Sequence, residues 1–174
     1  MEKEFTISKS TVESYKIRFP KNHTWADISV DPGEKSGRIQ IASDYGDWQY
    51  YWGSCGSQFK EFLIDLNIGY AACKFGEDKF FDLNSTIESL RNRIMDYAGP
   101  EDKDALAGLL HELDELKNSS CKEEFVHKIQ NCDAIMEMEN YSPDLCFTIN
   151  PLFKIFWEGL WKVFVDELKN EIKS

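Results

Sequence analysis

The spacing of apolar residues changes once along this chain, at Gly53, and that change restricts the fold more than any other feature. Before it, apolar side chains fall on alternate positions: Tyr15, Ile17 and Phe19 ahead of Pro20, Ile28 with Val30, Ile39 with Ile41, then Trp48, Tyr50 and Trp52. A period of two places each set on one face of a strand. Phe5 and Ile7 precede the first set, and Trp25 stands near the start of the second. Pro32-Gly33 and the run Asp44-Tyr45-Gly46-Asp47 carry turn chemistry between strands. No helical pattern separates the strands, so they predict an antiparallel meander rather than a parallel sheet with crossovers.

After Gly53 the apolar residues recur every three or four positions, as on one face of a helix. Phe59, Phe62, Leu63 and Leu66 predict a helix capped by Ser57, and Tyr70 to Lys74 continue it for a turn or two before Gly76. Ser85 and Glu88 resemble a capping box opening a helix with Ile87, Leu90, Ile94 and Tyr97 on one face. Gly99-Pro100 closes that helix. A helix from Glu101 to Lys117 carries the stripe Leu106, Leu109, Leu110, Leu113 and Leu116. Ser120 and Glu123 form a second box, starting a helix with Phe125, Val126, Ile129, Ile135 and Met136. Asn150-Pro151 is an N-cap and first-turn pair. It launches a last helix whose line of Leu152, Phe156, Leu160, Phe164 and Leu168 is widened by Phe153, Ile155, Trp157, Trp161 and Val163. A helix apolar nearly all round is a buried one, so this helix is expected to pack on the sheet.

These patterns predict an α+β fold: an N-terminal antiparallel β-meander packed against C-terminal helices, with a helical acidic segment. At 174 residues the chain has the length of one domain, 1–174, with 101–139 as a candidate helical insertion after Gly99-Pro100. A chain of this size buries about 70% of its unfolded surface and needs no disulfide or metal to hold it.

Charge is unevenly spread. The net charge is −11, and residues 101–139 hold eleven acids against four bases, a local −7. One reading is a pair of solvated helix faces; the other is an acidic surface aimed at a basic partner. Both argue against direct nucleic-acid binding, which needs clustered Lys and Arg. The five cysteines contain no C-x-x-C pair, and the start "MEKEFTISKS" has no apolar core of a secretion signal. The apolar stretch Ile155–Val165 is broken by Glu158 and Lys162, against a membrane span. A cytoplasmic location with free thiols is the expectation.

Sites for chemistry are sparse. His111, Cys121, His127 and Cys132 can be drawn as a zinc set, but structural zinc ligands come in close pairs that this spacing lacks. Cys55 precedes a helix, and a nucleophilic role there needs a base such as His23. Asp44 and Asp47 flank Tyr45-Gly46 and invite acid/base chemistry, although Asp and Gly are what a turn requires. Phosphate loops, dinucleotide glycine fingerprints and hydrolase or zinc-protease motifs do not occur. No cofactor and no metal are expected. Alternation sends Tyr51 to the face opposite Trp48, Tyr50 and Trp52, and leaves Tyr45, Tyr51 and Trp25 as candidate surface aromatics of the kind interfaces enrich.

The stretches "SDYGDWQYYWG" (43–53) and "FKEFLIDL" (59–66), with the ending "FKIFWEGLWKVFVDEL" (153–168), resemble a loose group of small phage- and prophage-encoded proteins. The resemblance covers a few dozen residues at two places and none of the acidic middle. It implies an accessory protein made inside a bacterial cell, of a type that blocks host defence, and assigns no site residue.

The acidic segment, the missing catalytic motifs and this resemblance point to a non-enzymatic accessory protein. It is expected to bind and inhibit a host protein complex that handles nucleic acid, of anti-CRISPR or anti-restriction type, as a charge mimic of DNA. Its partner-binding residues would be Glu112, Asp114, Glu115, Glu123, Glu124, Tyr45 and Tyr51. The partner would be a host protein with a basic surface, not nucleic acid and not a membrane, and self-association is left open. Two alternatives stand beside this: a small-molecule or nucleotide-processing enzyme with a pocket near Asp44, Asp47 and Cys55, and a virion or assembly accessory protein.

Overall fold

Four strands follow one another as hairpins in the computed structural model, which describes residues 6–7, 9–98 and 103–173. They are β1 (Glu13–Arg18), β2 (Trp25–Pro32), β3 (Gly37–Ser43) and β4 (Gly46–Trp52), antiparallel in the order β1-β2-β3-β4. The register lines up Tyr15, Ile28, Ile41 and Trp48 in one cross-strand row and Val30, Ile39 and Tyr50 in another. A period of two converts that register into one apolar face, where Ala26, Ile28, Val30 and Ile39 are wholly buried. The opposite face carries Lys16, Arg18, Arg38, Gln40, Gln49 and Tyr51, all exposed.

The chain falls into two compact units, residues up to Asp78 with those from Ile149 onward, and Lys79–Thr148. In the first, the sheet's apolar face is covered by α1 (Phe59–Ile64), α2 (Ile68–Phe75) and the C-terminal helix. That helix has three parts: α7 (Pro151–Phe156), a π-helical turn (Trp157–Trp161) and α8 (Lys162–Lys173). Asn150 caps it by accepting from the Leu152 amide at 3.0 Å, with Pro151 at the first position. Trp48 stands between Phe153 and Phe156 at ring separations of 5.0 and 4.8 Å, and Tyr15 meets Phe164 edge-on at 5.0 Å. Full burial of such a side chain is worth about 1.5–3 kcal/mol. Gly37 sits where α1 closes on β3: a Cβ there would lie 2.3 Å from the Phe59 ring, so only glycine permits the approach.

The second unit holds α3 (Leu83–Tyr97), α4 (Lys103–Leu116), α5 (Lys122–Ile129), α6 (Asp133–Met138) and a short ribbon of β5 (Phe80–Phe81) with β6 (Phe147–Thr148). Its core is Leu90 and Ile94 from α3, Leu109, Leu113 and Leu116 from α4, Phe125 and Ile129 from α5, and Ile135 from α6. The antiparallel meander backed by helices makes the fold α+β.

Several local expectations are corrected. The cap of α1 is Gln58, whose side chain makes no capping bond, and not Ser57. The cap of α3 is Asp82, which accepts from the Ser85 amide, so Ser85 is inside the helix rather than before it. In α5 the N-cap is Cys121, and Glu124, not Glu123, reaches back to Ser120. The single helix expected through Met136 is broken between α5 and α6, where Cys132 becomes the next N-cap. Ile7 and Phe19 are exposed and lie outside β1, while Phe5, Gly99, Pro100, Glu101 and Asp102 fall outside the described residues. Tyr97 is exposed rather than on the buried face. The C-terminal helix is not buried all round, because Leu152, Ile155 and Val163 face solvent.

Candidate functional site

The second unit concentrates the negative charge. Its 70 residues contain fifteen acids against seven bases, −8 of the chain's −11. The five carboxylates expected to bind a partner all lie in it, but the fold gives them different work. Glu112, on α4, accepts from the amides of Ala134 and Ile135 at 3.2 and 2.9 Å. These amides begin α6 and have no intrahelical acceptor, so Glu112 satisfies them and sets a negative charge at the positive end of that helix.

Glu124 closes a capping arrangement at the start of α5. Its Oε2 accepts from the Ser120 amide at 2.8 Å and from the Ser120 hydroxyl at 2.5 Å, and its Oε1 pairs with Lys128 at 2.7 Å. Those contacts, Lys128 first, hold its carboxyl down at about 2. Asp114 pairs with Lys117 one turn on, and that partner lowers its pKa. Glu115 and Glu123 are exposed and make no ion pair among the described residues. Asp114, Glu115 and Glu123 are therefore the carboxylates of this set that face solvent, whereas Glu112 and Glu124 hold helix ends. Sequence spacing could not separate the two groups, since Glu112 finds its partners more than twenty residues away.

Tyr45 and Tyr51 belong to the first unit. Tyr51 is 56% exposed on the uncovered face of the sheet, and the Arg38 guanidinium lies 6.0 Å from its ring. Together with Gln49 and Tyr50 these two line a shallow cleft of about 460 Å³. Tyr45 is half-buried and packs on the core, so less of it is free than alternation implied. Trp25 is half-buried too, with the Arg18 guanidinium 5.4 Å from its ring.

The alternative of a pocket near Asp44, Asp47 and Cys55 calls on residues that the fold holds apart. Ser43 pairs with Gly46 at one end of β4, and Trp52 pairs with Gly37 at the other. The two aspartates thus sit at one end of a seven-residue strand and Cys55 beyond the other, about 20 Å apart at the usual rise per residue. His23, in the β1–β2 turn, lies at the aspartate end, too far away to serve Cys55 as a base. Asp44 accepts from the Trp25 amide at 2.8 Å and so ties the β3–β4 turn to β2. The Cys55 thiol donates to the Ser57 carbonyl at 3.3 Å.

Sequence reasoning missed a charged cluster that joins three elements of the first unit. Lys60 on α1 contacts Glu13 of β1 at 2.5 Å and Glu171 of α8 at 2.8 Å, and the Tyr15 hydroxyl lies within 3.0 Å of both carboxylates. Lys60 also lines a cleft of about 570 Å³ with Pro32, Glu34, Gln58 and Ile172. Partial burial disfavours the Lys60 cation, but the two carboxylates outweigh it and raise its pKa. Burial and Glu13 raise that of Tyr15, while Lys60 lowers that of Glu13. An amine kept protonated and a phenol kept neutral are poor bases, so the cluster binds the elements together rather than moving protons. Among the described residues no three of His, Cys, Asp and Glu converge as metal ligands. His111, Cys121 and His127 are exposed; Cys132 is buried, and burial pushes its thiol up to about 11. No helix among the described residues is long and apolar enough to cross a membrane.

The model of a protein family described as a phage family (Phage_phiTE_072) matches residues 5–170. No curated protein and no solved structure matches the chain.

Proposed function

The chain belongs to this phage protein family, and we propose that it is a non-enzymatic accessory protein that binds and inhibits a host protein complex handling nucleic acid. The acidic surface of the second unit is its contact surface, and a basic protein surface that normally receives phosphates is what it engages. The observation that carries this reading is the division of labour among the carboxylates. Asp114, Glu115 and Glu123 stand in solvent, in a unit of net charge −8, and unlike Glu112 and Glu124 none of them takes a backbone amide among the described residues. Opposed fields of this kind raise association rates and set partner choice.

Glu112 and Glu124 support the surface from beneath by fixing α5 and α6. Tyr51, beside Arg38, is a candidate second contact on the first unit. The enzyme alternative loses its footing because its three residues occupy opposite ends of β4. The experiment is expression of the chain in bacteria that carry a restriction or CRISPR system, with phage plating as the readout. Plating should rise with the wild-type chain and return to baseline with Asp114→Asn, Glu115→Gln and Glu123→Gln combined. Equal protection by the triple variant would discard the charge-based reading.

A further inference from the structure

The C-terminal helix leaves an apolar ridge uncovered. Ile155 is 50% exposed and Val163 42%, and Gly159 stands between them at steps of four residues. A side chain placed on Gly159 would meet nothing within 4 Å, so the helix backbone is open to close approach there. Two successive steps of four drift sideways on an α-helix of 3.6 residues per turn. The wider π-helical turn at Trp157–Trp161 takes up part of that drift and keeps the three positions in line.

A second line, at the same spacing, carries charge. Lys154, Glu158, Lys162 and Asp166 alternate in sign along the helix, and the last three are exposed. Asp166 pairs with Lys169 at 3.8 Å, whereas Glu158 and Lys162 make no ion pair among the described residues. A sequence of plus, minus, plus, minus has a simple symmetry: reversed and laid against itself, every charge meets its opposite. Laid parallel and in step, every charge meets its like. A parallel copy shifted by four residues also matches the charges but leaves an open, heterologous contact, whereas an antiparallel copy matches both lines and closes on itself.

We propose that this face of the C-terminal helix takes a second copy of the chain, antiparallel, about a two-fold axis close to Gly159 and Leu160. Glu158 then meets Lys162 of the second copy, and Lys162 meets its Glu158. Ile155 packs near Val163 of the second copy, and the two Gly159 backbones lie at the crossing. The contact is isologous, so each pair occurs twice and the assembly closes as a dimer.

A charge swap tests the arrangement, with sedimentation velocity over a concentration series as the readout. The wild-type chain dimerises, and raised salt weakens the dimer. Glu158→Lys alone and Lys162→Glu alone each place like charges opposite one another twice and weaken dimerisation about tenfold. The double variant restores opposite charges and recovers the wild-type constant. All substituted positions are exposed, and circular dichroism checks that each variant keeps its helix content. A wild-type chain that stays monomeric throughout overturns the proposal, as does a double variant no better than the singles. Binding of a monomeric wild-type chain to lipid vesicles or to another protein through this ridge also overturns it.

Discussion

Asn150 grips Glu77 twice: its amide donates to the Glu77 carbonyl at 2.8 Å, and its side-chain nitrogen donates to the Glu77 carboxylate at 2.8 Å. The other carboxylate oxygen accepts from the Trp48 indole at 2.7 Å. The first unit therefore ties together, on its own sheet, the point where the chain departs and the point where it returns. Within the second unit Phe80 pairs with Thr148, so that unit begins and ends at adjacent positions.

This closure predicts that residues 79–148 can be excised. Joining Asp78 to Ile149 through a short Gly-Ser linker should leave a chain that unfolds cooperatively, with the near-ultraviolet signal of its buried tryptophans intact. Glu77→Ala in that shortened chain should cost about 1–3 kcal/mol, because Trp48 and Asn150 lose their acceptor. Denaturant titration measures both. A shortened chain without a cooperative transition would show that the first unit depends on the second.

Glu112 and Glu115 lie three residues apart on α4 and should behave differently. Glu112→Ala strands two helix-start amides and should lower stability by about 1–2 kcal/mol, in line with the loss of a helix cap. Glu115→Ala touches an exposed site and should change stability by no more than about 0.5 kcal/mol. Thermal unfolding of the two variants side by side is the check.

Glu124 should make the protein sensitive to acid. Its carboxyl titrates at about 2 in the fold against an ordinary 4.5, so the folded state favours the charged form. The stabilisation is complete above the unfolded value and disappears as pH falls through 4.5 towards 2. Glu124→Gln cannot titrate, so its melting temperature should fall less on acidification than that of the wild-type chain. Parallel curves for the two proteins would count against the Ser120 and Lys128 contacts.

What could be read from the amino acids follows the range of the interactions. The rows through Ile28, Ile41 and Trp48 were legible because a strand's side-chain period is a local property. So was Asn150-Pro151, whose capping geometry spans three residues. The start of α3 was misread by one turn because Asp82 and Ser85 are both capping types, and only the folded backbone shows which one precedes the helix. The π-helical turn at Trp157–Trp161 has no local signature, so the exposure of Ile155 and Val163 was hidden behind an apolar run. The roles of Glu112, Glu77 and Lys60 depend on partners twenty to more than one hundred residues away. Charge counting located the acidic segment, but it could not tell a carboxylate holding a helix from one facing solvent.

The proposed role of Asp114, Glu115 and Glu123 is to recruit a basic protein partner. Its most direct measurement is affinity capture from bacterial lysate with the 174-residue chain, run beside the Asp114→Asn, Glu115→Gln, Glu123→Gln variant at matched folding and low salt. A protein with a basic surface is expected on the wild-type chain, depleted at least about tenfold on the variant and released by salt. The same protein retained equally by both chains, or no protein retained by the wild-type chain, would contradict it.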